Sequence, residues 1–78
     1  MGKQTAVRLD RLRELREDAG LSQAKVAELL GTSQTMYSRY ERGVVELPVR
    51  HLRQLCRILK TSADYLLGLT KFQSPYYK

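Results

Sequence analysis

Leu9, Leu12, Leu15 and Ala19 recur at spacings of three and four along residues 8–19, the period of a helix that buries one face. Arg16 interrupts that apolar side. Gly20 stands where a helix end asks for a positive φ, and Leu21 can cover the last turn. Ser22 suits the N-cap of a second helix from Gln23 to Leu30, with Val26, Ala27, Leu29 and Leu30 as its apolar positions and Gly31 as its stop. Lys25 occupies the place where a glutamate would complete a capping box. Thr32 and Ser33 offer the cap of a third helix, which runs to Arg42 before Gly43. After a loop over residues 44–47, Pro48 suits the first turn of a fourth helix, where its missing N–H loses no hydrogen bond. There Val49, Leu52, Leu55, Cys56 and Leu59 form an apolar stripe, and Arg50, Arg53, Arg57 and Lys60 a basic one. Ser62 caps a short fifth helix over residues 63–67, closed by Gly68.

No segment alternates with a period of two, so the pattern predicts a compact all-α domain of five helices over residues 8–69. A flexible N-terminus over residues 1–7 precedes it and a tail over residues 70–78 follows. The tail holds Phe72, Tyr76 and Tyr77 without periodicity; a frayed end and an arm that packs across a dimer fit it equally. Seventy-eight residues suffice for one domain, whose thin core is worth about 3–5 kcal/mol.

Charge changes the picture next. The chain carries 14 Lys and Arg against 8 Asp and Glu, a net +6, which favours anionic partners. Residues 8–30 balance to zero, whereas residues 31–60 carry six cations against Glu41 and Glu46. One cysteine and one histidine leave no disulfide framework, no cysteine-rich zinc site and no nucleophile–base pair, and no glycine-rich phosphate loop is present; the expectation is not an enzyme, with no metal and no cofactor. Cys56 reads as core, and His51 as a surface residue. No apolar run reaches the roughly 18 residues of a membrane span, and no signal-peptide h-region opens the chain, so a cytoplasmic location is expected.

The informative stretch is Gln23 to Arg42: helix, glycine, helix. Two helices joined so tightly cross steeply, which explains the small Ala27 and places Val26, Leu30, Tyr37 and Tyr40 toward the core. With Tyr37 at 0° on the third helix, Ser33, Tyr40 and Glu41 fall within about 60° of it, the inward side. Gln34, Thr35, Ser38 and Arg39 fall on the outward side; all can hydrogen-bond and none is acidic. Arg pairs bidentately with guanine, Gln with adenine, and Thr offers a methyl to thymine, so such a face suits the major groove. Arg16 and Glu41 are each the charged residue on an otherwise apolar side, and two such charges need each other.

The run GLSQAKVAELLGTSQTMYSRYERG, with LRELRED before it and ELP and LRQLCRILKTSADYLLG after it, resembles the helix-turn-helix of the Cro/C1-type, or Xre, family over about residues 8–70. The resemblance implies a lambda-repressor-like fold and a transcriptional regulator on double-stranded DNA, expected to be a repressor that binds a palindromic operator as a homodimer. It assigns base contacts to Gln34, Thr35, Ser38 and Arg39. Phosphate contacts go to Ser22, Gln23, Ser33, Arg42 and the backbone at Gly43, with Gln23 also bracing the recognition helix. Arg16 and Glu41 match an internal salt bridge of the family. Two departures stand out. Tyr37 occupies a place usually held by Ile or Val, so its hydroxyl must find a partner. The loop after Gly43, often basic, reads Val44, Val45, Glu46, which weakens the phosphate grip unless Arg42 or Arg50 compensates. The rest of the basic stripe reads as a solvated face. Exposed Val44 and Val45, with the tail, support an alternative: an antitoxin or adaptor module that mainly binds a protein partner and uses DNA binding for autoregulation.

Overall fold

The computed structural model describes residues 9–72. Among them lie five helices, α1 (Asp10–Asp18), α2 (Gln23–Leu30), α3 (Gln34–Arg42), α4 (Val49–Leu59) and α5 (Ala63–Leu66), and no strand. The expectations for residues 1–7 and for Tyr76 and Tyr77 fall outside the described residues.

The punctuation acts locally. Ser22, Ser33 and Ser62 each accept, through Oγ, the backbone N–H three residues on, at 3.0 Å in every case. Each satisfies one of the N–H groups that a helix start leaves without an intrahelical partner. Gly31 (φ 77°) and Gly43 (φ 73°) end α2 and α3 in the left-handed region, where a Cβ would be strained. α1 starts at Asp10 behind Leu9, which has no capping side chain, and stops before Ala19, which lies exposed rather than on the apolar side.

The end of α4 departs from the sequence pattern. No glycine is available there, and Lys60 itself adopts φ 55°. A non-glycine residue pays about 1–2 kcal/mol for that conformation. The turn brings fully buried Thr61 inward, and its N–H donates to the Cys56 carbonyl at 3.0 Å. Three residues after Leu59, Ser62 is already in position to cap α5. Lys60 therefore leaves the helical register and is no member of the basic stripe.

The core unites Leu9, Leu12 and Leu15 with Val26, Ala27 and Leu30, Tyr37 and Tyr40, Leu55, Cys56 and Leu59, and Leu66. α2 packs chiefly on α3, and Ala27 is buried at their crossing. Besides Ala19, two residues of the expected apolar stripes lie elsewhere: Leu29 and Val49 are exposed, while Leu52 packs half-buried against the core. His51, expected on the surface, is instead buried, with its ring edge-on to Tyr40 at 5.7 Å. Val49 opens the first turn of α4, before the helix reaches its neighbours; two residues on, the chain meets the Tyr40 ring, and His51 takes the inward place. Val45 is likewise half-buried against the core, while Val44 stays exposed.

Arg11 closes the fold from α1 to α5. Its Nη1 donates to the carbonyls of Tyr65 (2.8 Å) and Thr70 (2.5 Å), and its guanidinium lies 4.2 Å over the Tyr65 ring. This clamp covers a helix of only four residues, too short to hold itself. The fold positions α3 with one side against α1 and α2 and the other toward solvent.

Candidate nucleic-acid interface

The inward side of α3 is fastened by charge as well as by packing. Arg16 Nε donates to Glu41 Oε2 at 2.5 Å and Arg16 Nη2 to Glu41 Oε1 at 3.4 Å. Arg16 Nη1 donates to the Leu21 carbonyl at 2.8 Å, so the same guanidinium ties the α1–α2 turn to α3. Gln23 Nε2 donates to Glu41 Oε1 at 3.0 Å, and the Tyr37 hydroxyl to Glu41 Oε2 at 2.7 Å. One carboxylate thus collects hydrogen bonds from three helices. Burial alone would push the Glu41 carboxyl up, but the bonds from Arg16, Tyr37 and Gln23 outweigh it and hold it below the usual carboxylate range. The same bond raises the Arg16 guanidinium further. Burial and then Glu41 push the Tyr37 phenol up, so it stays a donor.

Tyr37 and Tyr40 complete this side with rings 6.4 Å apart at 89°, an edge-to-face contact. Ser33, placed by helical phase on the inward side, is exposed, because as N-cap it stands outside the helical backbone.

The outward side carries the residues expected to read bases. Gln34, Thr35 and Arg39 are exposed and Ser38 is half-buried. Gln23, Gln34, Thr35, Ser38 and Arg42 line a shallow groove of about 260 Å³ that has no carboxylate. Its Gln23, Ser38 and Arg42 also line a neighbouring cleft of about 540 Å³ that runs to α1. That cleft adds Arg13, one of the charges that cancel over residues 8–30 and carry no candidate role in the sequence. Arg13 lies one turn before Arg16 on the same helix, and that i, i+3 relation was the available signal. Its Nε stands 3.4 Å from Glu17 Oε2, an exposed pair.

The residues expected at phosphates are less uniform. The Ser22 and Ser33 hydroxyl oxygens are occupied as caps, while their O–H groups can still donate. Gln23 spends one amide hydrogen on Glu41 and keeps the other. The Gly43 N–H is given to the Tyr40 carbonyl at 3.1 Å, and the Val44 N–H to that of Arg39 at 3.0 Å. The turn after α3 therefore offers close approach rather than unused amides, and exposed Arg42 is the strong donor beside it.

A helix-turn-helix family model matches residues 12–66. The chain belongs to the Cro/C1-type helix-turn-helix family of transcriptional regulators. Similar proteins of Bacillus subtilis (strain 168) agree. The SPbeta prophage-derived uncharacterized HTH-type transcriptional regulator YonR is 38% identical over 64 residues, 82% of this chain and 59% of that one. The HTH-type transcriptional regulator AnsR is 38% identical over 63 residues, 81% of this chain and 54% of that one. The chain thus spans little more than half the length of these relatives. Among solved structures, the SinR protein/SinI protein complex contains a chain that matches with a TM-score of 0.66 and 27% identity, over 74% of this chain and 57% of that one. The fold is the lambda-repressor-like one, and the family is one of DNA-binding regulators rather than of enzymes. Among the described residues, no helix is long and apolar enough to cross a membrane.

Proposed function

We propose that this regulator represses transcription by binding a palindromic operator as a homodimer, with α3 as the recognition helix. The observation that carries this reading is the division of α3 into a fastened side and an uncommitted one. Glu41 is held by Arg16 of α1 and Gln23 of α2, whereas Gln34, Thr35 and Arg39 are exposed, and Gln34, Thr35 and half-buried Ser38 line a groove without carboxylates. Arg39 reads guanine, Gln34 adenine, and Thr35 the thymine methyl; Ser22, Gln23, Ser33 and Arg42 hold phosphates, with the backbone of Gly43 close to the strand. One short helix reads only a few base pairs. Two copies on half-sites about 34 Å apart supply the rest, and the bound dimer blocks a promoter by occupying it.

Selection of bound sites from random duplex DNA tests this directly. A palindrome with two equal half-sites is the expected product. A single unpaired site would remove the homodimer, and no enriched site would remove the sequence reading altogether.

A second reading keeps the DNA binding but gives it to autoregulation. Val44, Leu69 and Phe72 are large apolar side chains left exposed, and a similar solved chain is bound to a protein, SinI. An antitoxin or adaptor would use such a surface, with Val44 rather than half-buried Val45 at its centre. Co-purification of a stoichiometric protein partner favours this reading; a chain that elutes alone and binds its operator favours the first.

A further inference from the structure

Away from the recognition helix, three arginines share one groove without an acidic neighbour in its lining. Arg50, Arg53, Gln54 and Arg57 line a groove of about 360 Å³ on α4, and no carboxylate lines it. The reading groove on α3 holds one cation, Arg42, and the cleft beside it mixes Arg13, Arg16 and Arg42 with Asp10, Glu17 and Glu41. The α4 groove shares no residue with either.

Helical phase explains why these arginines gather. The buried residues of α4 are His51, Leu55, Cys56 and Leu59. At 100° per residue, Arg50, Arg53, Gln54 and Arg57 centre about 180° from them. The whole side of α4 opposite the core is therefore a hydrogen-bonding, positively charged surface, and Arg50, Arg53 and Arg57 are all exposed.

We propose that this groove is a track for the DNA backbone, a sequence-independent phosphate site separate from the bases read by α3. The proposal rests on the reading that the chain binds DNA, and it answers a deficiency in that reading. The turn after α3 carries Val44, Val45 and Glu46, so it supplies no cation, and the Gly43 and Val44 amides are already donated inside the fold. The positive charge absent from that turn reappears on the next helix.

Spacing and chemistry favour phosphates. From Arg50 to Arg57 α4 rises about 10.5 Å, over which one DNA strand presents about three phosphates at 3.4 Å each along the axis. All three cations are guanidiniums, whose planar fork matches the oxygens of a phosphodiester. Gln54 adds a neutral donor between them. Nothing in the groove distinguishes one base from another, so the track adds affinity and salt dependence without adding specificity.

The test compares the parent chain with the triple variant Arg50→Gln, Arg53→Gln, Arg57→Gln and with Arg39→Ala. Binding is measured from 50 to 300 mM salt on a selected site and on an unrelated duplex of equal length. Glutamine is a good helix former and the three positions are exposed, so the melting temperature of the triple variant should stay within a few degrees of the parent. On both duplexes its log Kd against log salt should be shallower by about two to three, near 0.9 for each lost phosphate contact. The ratio of selected to unrelated affinity should stay at the parent's value, whereas Arg39→Ala should collapse that ratio and leave the triple's change in slope unmatched. A folded triple variant that keeps the parent's slope on both duplexes overturns the track, including the case in which the groove captures an acidic protein instead. A parent that binds no duplex in a salt-dependent way overturns the underlying DNA reading as well, so the two failures are told apart.

Discussion

The two sides of α3 use the same kinds of residue to opposite ends. On the inward side, Arg16, Gln23 and Tyr37 converge on Glu41, and only Gln23 keeps a hydrogen to spare. On the outward side, Gln34, Thr35 and Arg39 are exposed and project from the same nine-residue helix. The difference teaches a division of labour. A side chain that reads a base must be unoccupied until the base arrives, yet its backbone must already be in place. The inward network fixes the backbone with interactions too costly to break. The outward edge keeps its donors for the ligand.

That division is open to attack, and the largest effect belongs to the inward side. Glu41→Ala leaves Arg16 buried without its anion and strips the acceptor from Gln23 and Tyr37. Breaking such a pair costs about 3–5 kcal/mol. For a domain of this size that equals the whole stability, so far-UV circular dichroism at 25 °C should show a largely unfolded chain. The same carboxylate sets an acid limit. Its pKa is lower in the fold than its ordinary 4.5, so its contribution is complete above that value and is lost as pH falls through the folded one. Urea midpoints measured from pH 7 to pH 3 should drop steeply only below about 4.5. A flat profile down to pH 3 would contradict the network.

The outward side should respond in the other observable. Arg39→Ala should weaken binding to a selected site by about 1–3 kcal/mol and relax the base preference there, with the melting temperature unchanged. If Arg39→Ala and Gln34→Ala both bind as the parent does, the reading edge lies elsewhere on the molecule.

Tyr37→Phe sharpens the contrast because it removes only the hydroxyl and keeps the ring packed on Tyr40. Glu41 retains Arg16 and Gln23, so the loss should be about 1 kcal/mol in denaturant unfolding. Base preference should be unaltered, since Tyr37 has no place on the outward edge. A changed preference would show that the two sides are coupled rather than divided.

The smallest effect concerns His51. Burial first, and then the charge of Arg50, lower its pKa below the ordinary 6.5. Its neutral form is the one the fold accepts, so stability is complete above about 6.5 and declines gently as pH falls through the folded value. Arg50→Gln should make that decline shallower between pH 7 and pH 5.5. An equal decline in both proteins would remove Arg50 from the account.

Much of the fold is legible in the sequence because its signals are short-range. Ser22, Ser33 and Ser62 cap helices from within three residues, and Gly31 and Gly43 stop them through their own φ. The candidate reading edge is legible for the same reason: Gln34, Thr35, Ser38 and Arg39 share a side of one helix by phase alone. What escaped depends on neighbours far along the chain. Val49 and His51 both sit near the start of α4, and polarity alone ranks them in the wrong order. The ring of Tyr40 reaches position 51, whereas position 49 lies exposed. Nothing local singles out Arg11 among the charges of the first helix; the Tyr65 and Thr70 carbonyls that it binds lie 54 and 59 residues away.

By itself, the order of residues determined which segments are helical, where each is capped, and that two of them meet at a glycine with the spacing of a helix-turn-helix. Those outcomes follow from backbone torsions and hydrogen bonds that close within a turn. The tertiary structure alone decided that Gln23 and Tyr37 would join Arg16 on one carboxylate, that Lys60 would accept a left-handed backbone, and that His51 rather than Val49 would be buried. Those outcomes need surfaces brought into contact. A buried charge takes whatever partner the packing presents, and a charged stripe becomes a surface only when the opposite side of its helix is covered.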